Sequence, residues 1–175
     1  MAIQGDHGEF STLLNRHGGI VRKVATTYCG DADDRADLAQ EIIAQLWASW
    51  PRYDARRPFA TWMYRIALNV AISHVRGVYR GARHFVALDE EHHQIAADAA
   101  DYDEHDALTA LETVIADLDP LNRALLLLYL DERSHREIAE ILGISESNVG
   151  TKINRLKQRI RARFASPEGL QDGTR

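Results

Sequence analysis

The chain has 175 residues, 45% of them apolar, with 21 Lys and Arg against 26 Asp and Glu, a net charge of −5 and a single cysteine, Cys29. That length suits one or two small domains with genuine cores, while the want of any run of about 18 apolar residues excludes a membrane span. One thiol excludes an internal disulfide and suits a reducing compartment; no zinc-ligand spacing surrounds it, and the first residues lack the basic flank and apolar stretch of a secretory signal, so a cytoplasmic protein is expected.

The elements read as all-α. Phe10 to about Cys29 forms a first amphipathic helix, with Leu13, Leu14, His17, Ile20, Val21 and Val24 near helical spacing. Gly30 to Asp33 breaks it, and about Asp34 to Trp50 is a second helix whose Leu38, Ile42, Leu46 and Trp50 recur every four residues as one buried stripe. Pro51 to Pro58 is a loop. A third helix runs from Phe59 to about Arg80, with Met63, Ile66, Val70 and Val75 on one side and Trp62, Arg65, Asn69 and Arg76 on the other. Three such helices can close a small bundle.

Charge then divides the chain. Residues 1–80 hold 10 basic and 8 acidic side chains, residues 81–106 hold 1 and 8, and residues 107–175 hold 10 of each. The whole negative excess therefore lies in one short strip, poor in large apolar groups, which is expected to be a flexible acidic linker. The expected organisation is residues 1–81 and 107–175 as two small helical domains, with 82–106 between them.

The second block opens with Leu108, Leu111, Val114, Ile115 and Leu118 on a helix, and Asp119-Pro120 starts the next. Ser134 to Glu137 reads as a capping box, Gly143 as a turn and Ser145 as the cap of a last helix running to about Phe164. A small residue, a glycine four later, an apolar residue and a cap make the spacing of a helix-turn-helix. Asn148 to Arg163 then carries six Lys or Arg and no acid. Val149, Ile153, Leu156 and Ile160 form the buried stripe of this helix, and Asn148, Lys152, Arg155 and Arg159 repeat the spacing one residue earlier. Arg and Lys suit guanine edges, Asn suits adenine, and Ser and Thr suit bases or phosphates. Base reading is expected at Asn148, Thr151, Lys152 and Arg155, beside Asn154; Arg159, Arg161 and Arg163 suit phosphates.

The combined pattern resembles one family. Asp37-Leu38-Ala39-Gln40-Glu41 on a helix, the stretch from Phe59-Ala60-Thr61-Trp62-Met63-Tyr64-Arg65-Ile66-Ala67-Leu68 to Asn69, an acidic strip, and Glu137 to Ser145 are similar, in order and spacing, to the bacterial extracytoplasmic-function sigma factors of RNA polymerase. The resemblance implies an N-terminal domain that binds the polymerase clamp and melts the −10 element, and a C-terminal domain that reads the −35 element and docks on the flap. It puts clamp contact on Asp37, Gln40 and Glu41. It puts −10 contact on Tyr53 and Asn69, where an aromatic could stack on an unstacked base and an amide could meet its edge. Arg52, Arg56 and Arg57 in the loop would hold phosphates, with Trp62 and Arg65 facing similarly. The acidic strip would mimic RNA in the polymerase channel. The implied partners are core polymerase, promoter DNA and an anti-sigma factor, with no cofactor, metal, small-molecule substrate or catalytic residue. Two departures stand out: Asp34-Arg35-Ala36-Asp37 replaces the family's usual acidic stretch, and Gly150 takes a position that is usually basic.

Two alternatives compete. A stand-alone helix-turn-helix regulator would need a sensor pocket or phospho-acceptor in residues 1–80, and none is evident. A metal enzyme built on Glu91, His92, His93 and His105 lacks ligand spacing on a helix.

Overall fold

The computed structural model describes residues 7–82 and 113–165. The N-terminal unit packs α1 (His7–His17), α2 (Gly19–Tyr28), α3 (Ala32–Ser49) and α4 (Phe59–Ala82), with a 3-10 turn at Trp50–Arg52. The single first helix of the sequence reading is two. Gly18-Gly19 interrupts it, because paired glycines lose most backbone entropy in a helix, and α2 starts afresh to bury Ile20, Val21, Val24 and Ala25. Helix α3 begins two residues earlier than expected. The Asp31 carboxylate accepts from the Asp33 and Asp34 amides at 2.9 and 3.3 Å, satisfying donors that a helix start otherwise leaves open.

Leu38, Ile42 and Leu46 are fully buried, as their spacing requires. On α4 the buried face is Met63, Tyr64, Ala67, Leu68, Ala71 and Val75. Ile66 and Val70, expected beside Met63, are only partly covered. The small Ala67 and Ala71 let helices approach closely and rotate the inward face by about one residue. Phe10, Trp50, Tyr53, Phe59 and Trp62 make an aromatic cluster that closes one end of the bundle; Trp50 and Tyr53 stack at 5.2 Å.

The C-terminal unit has a helical turn at 113–116, then α5 (Pro120–Leu130), α6 (His135–Leu142) and α7 (Glu146–Ala165). Asp119 caps α5 through the Asn122 amide at 3.0 Å. The Ser134–Glu137 capping box is formed in both directions, and Gly143, at φ +70°, makes the left-handed turn between α6 and α7 that favours glycine. Leu125, Leu128, Ile138, Ile141, Val149, Ile153 and Leu156 fill the core. Arg123 is buried too, donating to the Ala116 and Leu118 carbonyls at 2.7 and 3.1 Å. It stands just ahead of the apolar run Ala124–Leu130 of α5.

The acidic strip expected as a linker, Leu108 and Leu111, and the tail beyond Ala165 lie outside the described residues, apart from Ala82 at the end of α4. The two helical units are in contact: α4 packs against α5 and α6, and α2 against α5. Their buried residues form one continuous cluster.

Candidate nucleic-acid interface

The loop 53–58 and the outer face of α4 enclose a cleft of about 460 Å³. Arg52, Arg57, Trp62, Arg65 and Asn69, all expected from the sequence, line it. Thr61, Trp62, Arg65, Ile66 and Asn69 follow one another at helical spacing, so they form one strip of α4. Three guanidiniums, an indole and an amide in one concavity offer charge for phosphate, a ring for stacking and a donor–acceptor pair for a base edge.

Two expected residues are elsewhere. Tyr53 does not line the cleft. Its ring lies between Trp50, Phe59 and Trp62, and its hydroxyl donates to the Arg57 carbonyl at 2.8 Å. Burial pushes its phenol pKa up. Arg56 folds onto Asp54 through a bidentate pair at 2.8 to 3.1 Å, and the Arg56 side-chain and backbone bonds hold the Asp54 carboxyl down at about 2. Tyr53 and Asp54 thus shape the loop that presents Arg57.

Ser49, Thr61, Ile66 and Glu140 also line the cleft. The side-chain oxygen of Thr61 is buried with no hydrogen-bond partner. The i, i+4 relation of Thr61 to Arg65, and of Ile66 to Trp62, was a readable signal for both. Glu140 comes from α6, some 83 positions along the chain, and accepts from Arg57 Nη1 at 3.0 Å; no local pattern signals it.

On α7 the periodicity holds as far as Leu156, and Ile160, expected in the same stripe, is only partly covered because the helix runs out past the core. Val149, Ile153 and Leu156 are buried, and Asn148, Thr151, Asn154, Arg155 and Arg159 are exposed, with Lys152 at the margin. Ser145 caps the helix through the Asn148 amide at 3.2 Å. The Thr151 hydroxyl donates back to the Ser147 carbonyl at 3.1 Å, leaving its lone pairs outward. Gly150 lies near His135, whose ring a Cβ there would meet at an ordinary 3.7 Å.

On α3, Asp37, Gln40 and Glu41 are all exposed. Glu41 is engaged by His74 Nδ1 at 3.1 Å. Beside Gln40, Ile43 and Trp47 are 40% and 45% exposed, an apolar extension of that face that the stripe argument overlooks. Among the described residues no helix is long and apolar enough to cross a membrane, and no group of His, Cys, Asp and Glu is placed to hold a metal ion.

Comparison with known proteins agrees with this arrangement. The family model for Sigma-70 region 2 matches residues 13–81, and that for Sigma-70, region 4 matches residues 108–160. The chain is 29% identical over 172 residues to the ECF RNA polymerase sigma factor SigW of Bacillus subtilis, covering 90% of each chain. It is 30% identical over 150 residues to the ECF RNA polymerase sigma factor SigC of Mycobacterium tuberculosis, covering 82% of this chain and 76% of that one. Among solved structures, the sigma factor RpoE of Bartonella quintana, in complex with the anti-sigma factor NepR, has the same fold. It superposes with a TM-score of 0.70 at 19% identity, over 91% of this chain and 99% of that one. CnrH, in complex with the cytosolic domain of CnrY, gives 0.65 at 23% identity, over 95% and 94%.

Proposed function

Because the chain belongs to the extracytoplasmic-function sigma factors of RNA polymerase, and so serves promoter recognition, we propose that its two helical units divide the promoter between them. Residues 1–81 act on the −10 element and the polymerase clamp, 107–175 on the −35 element and the flap, and 82–106 joins them. The single observation that carries this division is the cleft on α4, which unites stacking, amide and guanidinium groups, while a separate basic helix keeps its own exposed polar face.

In this reading a −10 base leaves the stack and enters the cleft against Trp62. Asn69 meets its edge, and Arg57 and Arg65, with Arg52, hold the flanking phosphates. Tyr53 and Arg56 support that loop. On α7, Asn148, Thr151, Lys152, Asn154 and Arg155 reach the −35 base edges, while Arg159 holds a phosphate. Asp37, Gln40 and Glu41, extended by Ile43 and Trp47, form the clamp face. The chain catalyses nothing itself, binds no cofactor, and works in the cytoplasm beside core polymerase. An anti-sigma factor is a fitting regulator, since the structural relative RpoE is bound to one.

The test is reconstitution with core polymerase on genomic DNA and mapping of start sites. Asn69→Ala is expected to lower opening sharply, and Arg155→Ala to weaken upstream recognition. Unchanged transcription from both variants would refute the residue roles.

A further inference from the structure

We propose that His135 is a further DNA contact of the C-terminal unit, a proton-gated hold on a backbone phosphate beside the −35 element. The inference rests on the reading of α7 as the helix that meets that element. It adds a group from a second helix, one whose charge changes close to neutral pH.

The polar face of α7 has a gap. Ser147, Gly150, Asn154 and Lys157 follow one another at i, i+3, i+7 and i+10, so they make one row along a flank of the helix. Glycine leaves the second place of that row without a side chain. The His135 ring, from the first turn of α6, stands over it: a Cβ on Gly150 would lie 3.7 Å from Nδ1 and 3.8 Å from Cε1. A side chain longer than alanine's at 150 would compete with the ring for that space. His135 is exposed. Its imidazole takes no part in the Ser134–Glu137 cap, and among the described residues no carboxylate pairs with it.

The position favours a phosphate. The first helix of a helix-turn-helix crosses the DNA backbone while the second enters the groove. A side chain in the opening turn of α6 that leans onto the flank of α7 stands where those two contacts meet, and its neighbour Arg136 is exposed as well. An imidazolium offers a phosphate oxygen a full charge and N–H donors, whereas the neutral ring offers one donor and no charge. The contact therefore follows the proton, which a free imidazole gains near about pH 6.5.

The surroundings do not fix that charge in advance. Tyr129 of α5, with Glu132 and Arg133 of the turn, lines one shallow concavity with His135. On α7, Glu146 and Lys157 lie within about 40° of Gly150 around the helix, and the Lys157 ammonium sits over the Tyr129 ring. On α6 itself stand Arg136 and Glu137, whose carboxylate is held by Ser134 and Arg133. The N-terminal unit meets α6 at Glu140, roughly 140° round the helix from His135. Glu132, Glu137 and Glu146 thus offset Arg133, Arg136 and Lys157, and an arriving phosphate tips the ring toward its charged form.

The test uses the full chain assembled with core polymerase on a labelled promoter fragment from its mapped start sites. Fluorescence anisotropy reads binding at about pH 6 and about pH 8, either side of the imidazole range, across a salt series. The polymerase's own response to pH is common to every sample and cancels in the ratio of variant to wild type. His135 is the single histidine of residues 107–175, and circular dichroism melting checks that each variant is folded. His135→Gln should bind about three- to tenfold more weakly than wild type at the lower pH and equally at the higher. The wild-type salt slope should be steeper by about 1 at the lower pH, one further phosphate neutralised. His135→Lys should keep the low-pH affinity and slope at both. A glutamine effect equal at both pH values, or none at either, would overturn the proposal. A wild-type holoenzyme that selects no promoter at either pH would strike the functional reading itself, and the proposal with it.

Discussion

The cleft on α4 and the outward face of α7 offer similar chemistry to nucleic acid but are built in opposite ways. On α7, one stripe of Val149, Ile153 and Leu156 settles the helix, and the side chains one residue earlier are left free. On the N-terminal unit, the loop must first be folded: Tyr53 is spent on the aromatic cluster, Arg56 on Asp54, and Arg57 on Glu140 of the other unit. A reading surface on a regular helix therefore comes with its partners unassigned. One built from a loop is assembled from residues that first hold each other.

That contrast can be broken in order of effect. Trp62→Ala or Asn69→Ala should lower promoter opening by roughly tenfold to a hundredfold, since stacking and base-edge contacts are each worth about 1–3 kcal/mol; permanganate footprinting of the melted region reads it. Lys152→Ala and Arg155→Ala should cost the upstream element about tenfold each, and a lost phosphate contact would lower the salt slope of binding by about 1. Equal effects at all upstream sequences would move Arg155 from base to backbone.

Acid should loosen the contact between the two units. Burial would raise the Asp131 pKa, but the bonds from Lys23 and Tyr64 outweigh it and hold the carboxyl below the usual 3.8. A carboxylate with a depressed value stabilises the contact above the ordinary value, and that contribution fades as pH falls through the depressed one. Distance between units should therefore lengthen on acidification below about pH 4 in the wild type and change less in Asp131→Asn.

The structure makes Tyr53 a loop support, so Tyr53→Phe should lower stability by about 0.5–1.5 kcal/mol and leave base selectivity intact; altered selectivity would return the ring to the reading surface. The smallest change sharpens the other side: Gly150→Ala should raise stability by about 0.5–1 kcal/mol, because a methyl there meets only His135 at 3.7 Å. A rise in Tm of a few degrees would show it.

Helical periodicity explains why so much was readable. Leu38, Ile42 and Leu46 on α3 and the α7 stripe follow from spacing alone, and the caps at Ser134 and Ser145 follow from local chemistry. The failures were of two kinds. Local competition hid the break at Gly18-Gly19 and the rotation of α4 toward Ala67 and Ala71, since several apolar phases fit a helix rich in small residues. Distance hid the rest: Lys23 meets Asp131 across 108 positions and Tyr64 meets it across 67, so neither pair leaves a periodic trace. Five residues of the α4 cleft, Arg52, Arg57, Trp62, Arg65 and Asn69, were legible from the family resemblance. The Glu140 that closes it was not.

The most direct measurement is run-off transcription by the purified chain with bacterial core polymerase on fragmented genomic DNA, with start sites mapped. The account predicts starts preceded by two sequence elements at a constant spacing, with no stable hold on either duplex by the chain alone. A chain that ignores core polymerase, or binds a duplex operator tightly without it, would contradict the account.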